Sequence, residues 1–156
     1  MQILMLSIGK KMPAWVQAGV GDYLKRFPST LPVTLREIQN NKGVKWDRAK
    51  RMAFEGQRLL SHIPAHAWVV VLDEKGQQWS TQQVAHEMAE WLERQQTVVL
   101  VIGGADGLPD AVRARANQVW SLSLMTMPHM LVRVVLAEQL YRAWSVHTHH
   151  PYHREG

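Results

Sequence analysis

Short aliphatic runs alternate with segments of helical spacing along the whole chain. The aliphatic runs end at glycine, aspartate or polar residues, as buried parallel strands do, and predict strands over Gln2–Ile8, Pro32–Ile38, Ala67–Leu72, Thr97–Ile102 and, more briefly, Val119–Leu122. Helical spacing predicts helices over Ala14–Phe27, Asp47–Ile63, Thr81–Gln95, Pro109–Ala116 and Met130–Val146, with Ser80-Thr81 capping the third. The alternation predicts an α/β fold with helices on both faces of a parallel sheet.

Length and composition narrow the class of protein. A chain of 156 residues fits one domain, and 46% hydrophobic residues with seven tryptophans can build a sizeable core. There is no cysteine, which excludes a disulfide framework, a thiol nucleophile and a zinc ribbon. Neither an apolar run long enough for a membrane span nor a basic leader is present, so we expect a cytoplasmic protein.

The charge balance is basic. A net charge of +5 and an isoelectric point near 9.8 favour a polyanionic partner, although a mildly basic enzyme without a nucleic-acid partner fits the numbers equally well. Five cations cluster in the loop after the second predicted strand and in the next helix: Lys42, Lys45, Arg48, Lys50 and Arg51. A solvated surface explains this cluster more simply than a binding face.

Two segments are candidates for a ligand site. Val98–Ile102 runs into Gly103-Gly-Ala-Asp-Gly107 at the carboxyl end of a buried strand, where open α/β sheets bind ligands. Its spacing matches neither a dinucleotide fingerprint nor a phosphate-binding P-loop, and a plain strand-to-helix turn explains it equally well. The apolar loop Leu122-Ser-Leu-Met-Thr-Met127 should be buried, either packed against the chain or with its backbone polar groups facing an adenine edge.

Polar groups on the last predicted helix do not fit one exposed face. Glu138 and Arg142 are four residues apart, which is the spacing of an ordinary surface ion pair. Arg133 lies on the opposite side of the same helix, so at least one of these groups must be paired in an interface or a site. His129 follows Pro128 at the helix start, where the dipole disfavours its protonated form, and either a capping or a catalytic role fits.

The C-terminal segment is rich in imidazole, aromatic and guanidinium groups. We reject a metal site at His147, His149, His150 and His153, because cysteine, a carboxylate partner and helical histidine spacing are all missing. Tyr152, His153 and Arg154 suit RNA, since a guanidinium binds phosphate and flat rings stack on an unstacked base. The alternative is a frayed terminus.

Four motifs in order resemble one family. They are Ile8-Gly-Lys-Lys-Met-Pro-Ala-Trp-Val16, the glycine-rich turn, the Ser121-Leu-Ser to Val132-Arg-Val loop, and Tyr141-Arg-Ala-Trp144 with Pro151-Tyr-His-Arg154. Together they resemble the SPOUT-class methyltransferases that N3-methylate a pseudouridine in bacterial large-subunit ribosomal RNA. The resemblance implies a single domain over 1–156 with a C-terminal trefoil knot at roughly 67–156.

The resemblance also implies a site. S-adenosylmethionine would contact Leu72, Gly103, Gly104, Leu122, Ser123, Leu124, Met125, Thr126 and Met127. The substrate would be 23S ribosomal RNA in the assembled ribosome, and the enzyme a homodimer in which the tail of one protomer completes the site of the other. Neither a metal nor a membrane is implied.

Removal of the imide proton requires a base or a group that favours the anion, and the matching motifs offer several candidates. Glu138, His129 and His153 are the possible bases; Arg133, Arg142 and Arg154 are possible stabilisers of negative charge, with Tyr152 beside them. Dimerisation is also expected from Arg133 and from the surplus apolar surface of the last helix, which comprises Val132, Val135, Leu136, Leu140 and Trp144.

Two rival functions remain open from the sequence. One is a non-enzymatic ribosome-binding protein, which needs the basic loop and the tail but no small-molecule pocket. The other is a nucleotide hydrolase that uses Asp106 and Glu138 with a metal ion. Specific binding of S-adenosylmethionine distinguishes the methyltransferase from both.

Overall fold

A computed structural model describes residues 1–9, 11–39, 45–104 and 106–154. The elements in chain order are β1 (Gln2–Gly9), α1 (Ala14–Leu24), β2 (Val33–Gln39), α2 (Arg48–Ser61), β3 (Trp68–Gln78), α3 (Thr81–Arg94), β4 (Thr97–Ile102), α4 (Asp110–Arg115), β5 (Gln118–Ser121), α5 (His129–His147) and a 3-10 helix (Pro151–Arg154). The predicted basic loop lies largely outside the described residues, since 40–44 are not among them. None of the described helices combines the length and apolar character of a membrane span.

The described strands form one parallel sheet in the order β2-β1-β4-β3-β5. Alternate residues of β1 enter different cores: Ile3 and Met5 pack with residues of α1, α3 and α5, whereas Leu4 and Leu6 pack with Leu59 of α2 and with α4. The predicted parallel sheet with helices on both faces is therefore confirmed. The trefoil knot stays a prediction.

Strand β3 is longer than the sequence predicts. It continues past Leu72 to Gln78, and its register against β5 shifts between Leu72 and Gln77. Gly76 permits this continuation, because a Cβ there would lie 2.7 Å from the carbonyl carbon and oxygen of Val119. The irregular segment places Asp73 to Lys75 at the carboxyl edge of the sheet, beyond the predicted end of the strand at Leu72.

Local capping explains where the helices begin. Asp47 caps α2 by accepting a hydrogen bond from the Lys50 amide at 2.8 Å, and Ser80 forms the expected capping box with Gln83. Helices α1 and α2 end two to three residues earlier than predicted, at Leu24 and Ser61. The tail helix that follows α5 was not predicted.

Arg133 is paired inside the chain rather than in a protein interface. Its side chain is fully buried and donates from Nη1 to Glu37 Oε2 on β2 at 2.6 Å. Leu136 and Leu140 are also fully buried, in the core shared with α1 and α3. The sequence argument for dimerisation from these three residues is therefore wrong, because flanking elements of the same chain already cover this side of α5.

Replacing Glu37 by Ala is expected to reduce the free energy of unfolding by about 3–5 kcal/mol, because it leaves a fully buried guanidinium without its counter-ion. Glu90→Ala is the matched control. It removes the carboxylate of the exposed Glu90–Arg94 pair, which contributes about 0–1 kcal/mol. Urea denaturation measures both, and equal losses would show that the buried pair is not a major stabilising contact.

Candidate functional site

A cavity of about 480 Å³ opens at the carboxyl ends of β3, β4 and β5. Its walls come from the end of β3, the glycine-rich turn after β4, the loop after β5 and the first turn of α5. Apolar side chains form much of the lining: Leu72, Ile102, Leu108, Trp120, Leu122, Met125, Met127, Pro128 and Val132. This is the edge of a parallel sheet at which α/β folds bind ligands.

Eight of the nine residues implied as cofactor contacts line this one cavity: Leu72, Gly103, Gly104, Leu122, Ser123, Met125, Thr126 and Met127. The ninth, Leu124, does not line it and is 81% exposed. The fold thus brings together three segments that extend from Leu72 to Met127 in the chain. Their contacts with a cofactor stay a proposal.

The apolar loop is less buried than the sequence predicts. Leu124 and Met125 are 81% and 74% exposed, so the middle of the loop is not packed against the rest of the chain, whereas Leu122 at its start packs against the core. Serines hold its backbone instead: Ser121 Oγ donates to the Ser123 carbonyl at 3.0 Å, and Ser123 Oγ accepts from the Met125 amide at 2.9 Å. The expectation of burial fails because no described element covers the outer side of the loop.

Gly103 and Gly104 bring the backbone close to neighbouring elements. A Cβ at Gly103 would lie 3.0 Å from Leu108 Cγ and 3.1 Å from the Gly107 carbonyl, and one at Gly104 would lie 3.4 Å from Ile8 on β1. A bulky side chain at Gly104 would therefore press on β1 as well as enter the cavity, so it is a poor test of cofactor binding alone.

A charged pair in the cavity wall was not predicted from the sequence. Asp73, at the end of β3, forms an ion pair with Arg113 of α4, and both residues line the cavity. The Asp73 side chain is 7% exposed and the Arg113 side chain 40% exposed. The sequence offered one signal, since Asp73 directly follows a buried strand at the binding edge.

His129 is the one catalytic candidate from the sequence that lines the cavity. Pro128 occupies the N-cap of α5 and His129 is the first helical residue, so the capping interpretation is wrong. Burial, with a smaller contribution from the Arg133 charge, lowers the pKa of His129 below its ordinary value of 6.5. The imidazole is therefore neutral at pH 7 and can accept a proton.

The other candidates form a second group, which we call the tail cluster: Glu138, Arg142, Tyr152, His153 and Arg154. Arg142 Nε donates to Glu138 Oε1 at 2.7 Å, and its guanidinium lies 5.0 Å from the centre of the Tyr152 ring. His153 Nδ1 lies 3.3 Å from Ser145 Oγ. Glu138 and Arg142 are only 18% and 20% exposed, so the expected exposed surface pair is instead partly buried.

The tail is folded onto its own chain. Tyr152 packs edge-on against Tyr141 at 4.9 Å and against Tyr23 of α1 at 6.4 Å, and the Arg26 guanidinium lies 5.7 Å from its ring. Burial, helped by a hydrogen bond with Tyr23, raises the pKa of Tyr152 to about 12, which keeps the phenol protonated. The alternative of a frayed terminus is therefore wrong for 151–154, although Arg154 itself is exposed.

The cavity and the tail cluster are separate within one chain. The helix rise from His129 to Arg142 along α5 is about 20 Å. A substrate atom held beside His129 therefore lies beyond the reach of Arg142 in the same chain. Either the tail cluster has no direct role at the cavity of its own protomer, or it acts at the cavity of another.

The described residues contain no group of three or more histidines, cysteines, aspartates or glutamates that could hold a metal ion. Asp106 in the glycine-rich turn is engaged by Arg51 Nη2 at 3.2 Å, whereas Glu138 pairs with Arg142. The two carboxylates of the hydrolase hypothesis therefore serve separate ion pairs.

A parallel α/β sheet with a mixed apolar and charged cavity at its carboxyl edge is the arrangement typical of α/β proteins that bind small ligands. Residues 1–153 match the family described as "Predicted SPOUT methyltransferase", and the chain belongs to this family of methyltransferases. This membership confirms the resemblance seen in the sequence motifs.

Curated relatives align with nearly the whole chain. Proteins named "Ribosomal RNA large subunit methyltransferase H" are 48% identical over 156 residues in Hahella chejuensis, 47% over 156 in Thioalkalivibrio sulfidiphilus and 46% over 155 in Methylococcus capsulatus. Each alignment covers 99% of this chain and 100% of the relative.

Proposed function

We propose that this chain binds S-adenosylmethionine in the cavity and transfers its methyl group to N3 of a pseudouridine in 23S ribosomal RNA of the assembled ribosome, in the cytoplasm. The observation that carries the proposal is one cavity at the sheet edge, walled by the glycine-rich turn and the loop after β5, in a chain of this methyltransferase family. Relatives at about 47% identity bear names that specify ribosomal RNA of the large subunit as substrate.

The residues present fit such a cofactor. The volume of about 480 Å³ lies within the range of roughly 300–1,000 Å³ usual for small-molecule sites. Trp120 and Val132 offer apolar walls for a flat base, and Asp73 with Arg113 offers charge. Trp120 Nε1 is buried without a hydrogen-bond partner in the described part of the chain, so a ligand acceptor would satisfy it. The bound cofactor supplies an electrophilic methyl group.

The nucleotide must lose its N3 proton for the nitrogen to attack. His129 lies in the cavity wall and is neutral at pH 7, so its ring can accept that proton. Glu138 is held by Arg142 in the tail cluster, where it orients the guanidinium. We therefore assign proton acceptance to His129, and stabilisation of charge on the uracil carbonyls to Arg142 and Arg154.

This division of roles requires a homodimer. Arg142 of the tail cluster lies about 20 Å along α5 from His129 of its own chain, so it would meet the nucleotide at the cavity of a partner. The exposed apolar side chains of Leu124 and Met125 stand beside the cavity and would be covered by that partner. This surface replaces Arg133, Leu136 and Leu140 as the support for dimerisation.

Two measurements test the proposed function. Isothermal calorimetry with S-adenosylmethionine should show saturable binding, and radiolabelled methyl transfer should appear on intact ribosomes of a strain that lacks the modification. Purified 23S RNA serves as the comparison substrate. A protein that binds ribosomes but neither the cofactor nor a methyl group would instead be the non-enzymatic ribosome-binding protein.

Thr126→Trp is expected to remove measurable cofactor binding, because an indole at this cavity-lining position occupies the ligand space. Thr30→Trp is the matched control, since Thr30 is an exposed threonine that does not line the cavity. It should retain wild-type affinity in calorimetry. Equal affinities for the two variants would contradict the assignment of the cavity.

A further inference from the structure

We propose that Arg113 binds the α-carboxylate of the methionine portion of the methyl donor, and that Asp73 is the positioning residue that fixes its guanidinium. The proposal rests on the proposed function, because it names a subsite within the same cavity. Neither residue belongs to the glycine-rich turn or to the loop after β5, the segments on which the cofactor assignment depends.

Arg113 reaches the cavity from α4, and two contacts fix its guanidinium. Nε lies 3.4 Å from the Leu108 carbonyl, and Nη1 pairs with Asp73 Oδ2. Within the described residues Nη2 makes no hydrogen bond. The Arg113 side chain is 40% exposed and lines the cavity, so its guanidinium is oriented and still has donors for a ligand.

Both carboxylate oxygens of Asp73 have a partner within the chain. Oδ1 accepts from the Lys75 amide at 3.0 Å, and Oδ2 carries the ion pair with Arg113. Its side chain is 7% exposed, so it has little surface left for a ligand. Asp73 therefore serves Arg113, and the group presented to the cavity at this point is a cation.

The donor's methionine portion carries one carboxylate, which needs a cationic partner in a site that is otherwise largely apolar. A planar guanidinium can bind a carboxylate through two parallel hydrogen bonds, whereas an ammonium is a point charge. Besides Arg113, the described cavity lining contains one more lysine or arginine, Lys75. Its neighbour in the chain, Glu74, is a carboxylate that also lines the cavity. Lys75 and Glu74 are exposed, whereas Arg113 is held in place.

Comparing the affinities of two ligands isolates the contribution of this subsite from that of the rest of the cavity. S-adenosylhomocysteine carries the amino-acid portion, and 5′-methylthioadenosine lacks it. In Arg113→Met, calorimetry should show a roughly ten- to hundredfold loss of affinity for S-adenosylhomocysteine and unchanged affinity for 5′-methylthioadenosine. Arg113→Lys should lose less, and Asp73→Asn should show the same selective loss at smaller size.

Lys75→Met is the matched control, because it removes the other cation of the described lining and should leave the ratio of the two affinities unchanged. If Arg113→Met does not fold, Arg113→Gln combined with Asp73→Asn replaces the ion pair by neutral groups and should give the same selective loss. Equal losses for both ligands, or no loss, would overturn the proposal. A wild-type chain that binds neither ligand would overturn the proposed function together with it.

Discussion

Methyl transfer to ribosomes is expected to fall by roughly two orders of magnitude or more when His153 and Arg154 are both replaced by Ala, since each charge-assisted contact contributes about 1.5–3 kcal/mol. Arg154 is exposed on the tail helix and His153 is only partly buried, so both are available to a nucleotide. Affinity for S-adenosylmethionine should not change, because neither residue lines the cavity. Single-turnover methylation and calorimetry measure the two effects.

The double substitution is a sharper test than deletion of the tail. Deletion would also remove Tyr152, whose ring packs against Tyr141 and Tyr23, and would therefore lower the free energy of unfolding. His86→Ala combined with Arg94→Ala on α3 is the matched control, because it removes the same two residue types from an exposed surface. Wild-type methylation by the tail variant would remove the tail from the mechanism.

The sheet was predictable because β1, β4 and the first part of β3, which form its centre, are aliphatic on both faces. Residues such as Val99 and Leu100 enter opposite cores, so the runs are continuous and end sharply at polar residues. The extension of β3 was not predictable, because Asp73 to Lys75 resemble a turn and join the strand only through pairing with β5 across Gly76. That pairing joins residues far apart in the chain, so the pattern of hydrophobic and polar positions within β3 does not predict it.

Part of the site was predictable from local sequence, and part of it depends on tertiary contacts. Glycines after β4 mark a turn at the binding edge, and the sequence located them directly. The Asp73–Arg113 pair joins residues from β3 and α4, and the Arg133–Glu37 pair joins residues from α5 and β2. The helical position of Arg133 predicted that it must have a partner, but only the packing of α5 on the sheet identifies Glu37.

Two inactive variants are expected to restore each other's activity if the site is shared between protomers. Thr126→Trp blocks the cavity, and His153→Ala with Arg154→Ala disables the tail. In an equal mixture that has exchanged subunits, half of the dimers are mixed and each contains one intact site, so about a quarter of wild-type methylation should return. Each variant alone should remain inactive.

A second mixture tests independently whether the cavity and the tail that serves it belong to different protomers. A chain that carries all three substitutions, mixed equally with wild type, pairs every intact cavity of a mixed dimer with a disabled tail. Activity should then fall to about a quarter of the all-wild-type value for a shared site, but only to about a half for a site contained in one chain. Native mass spectrometry verifies the mixed dimers. The rise of about 20 Å from His129 to Arg142 makes the quarter the expected result. A value of a half with no complementation would instead place the cavity and the tail that serves it in the same protomer.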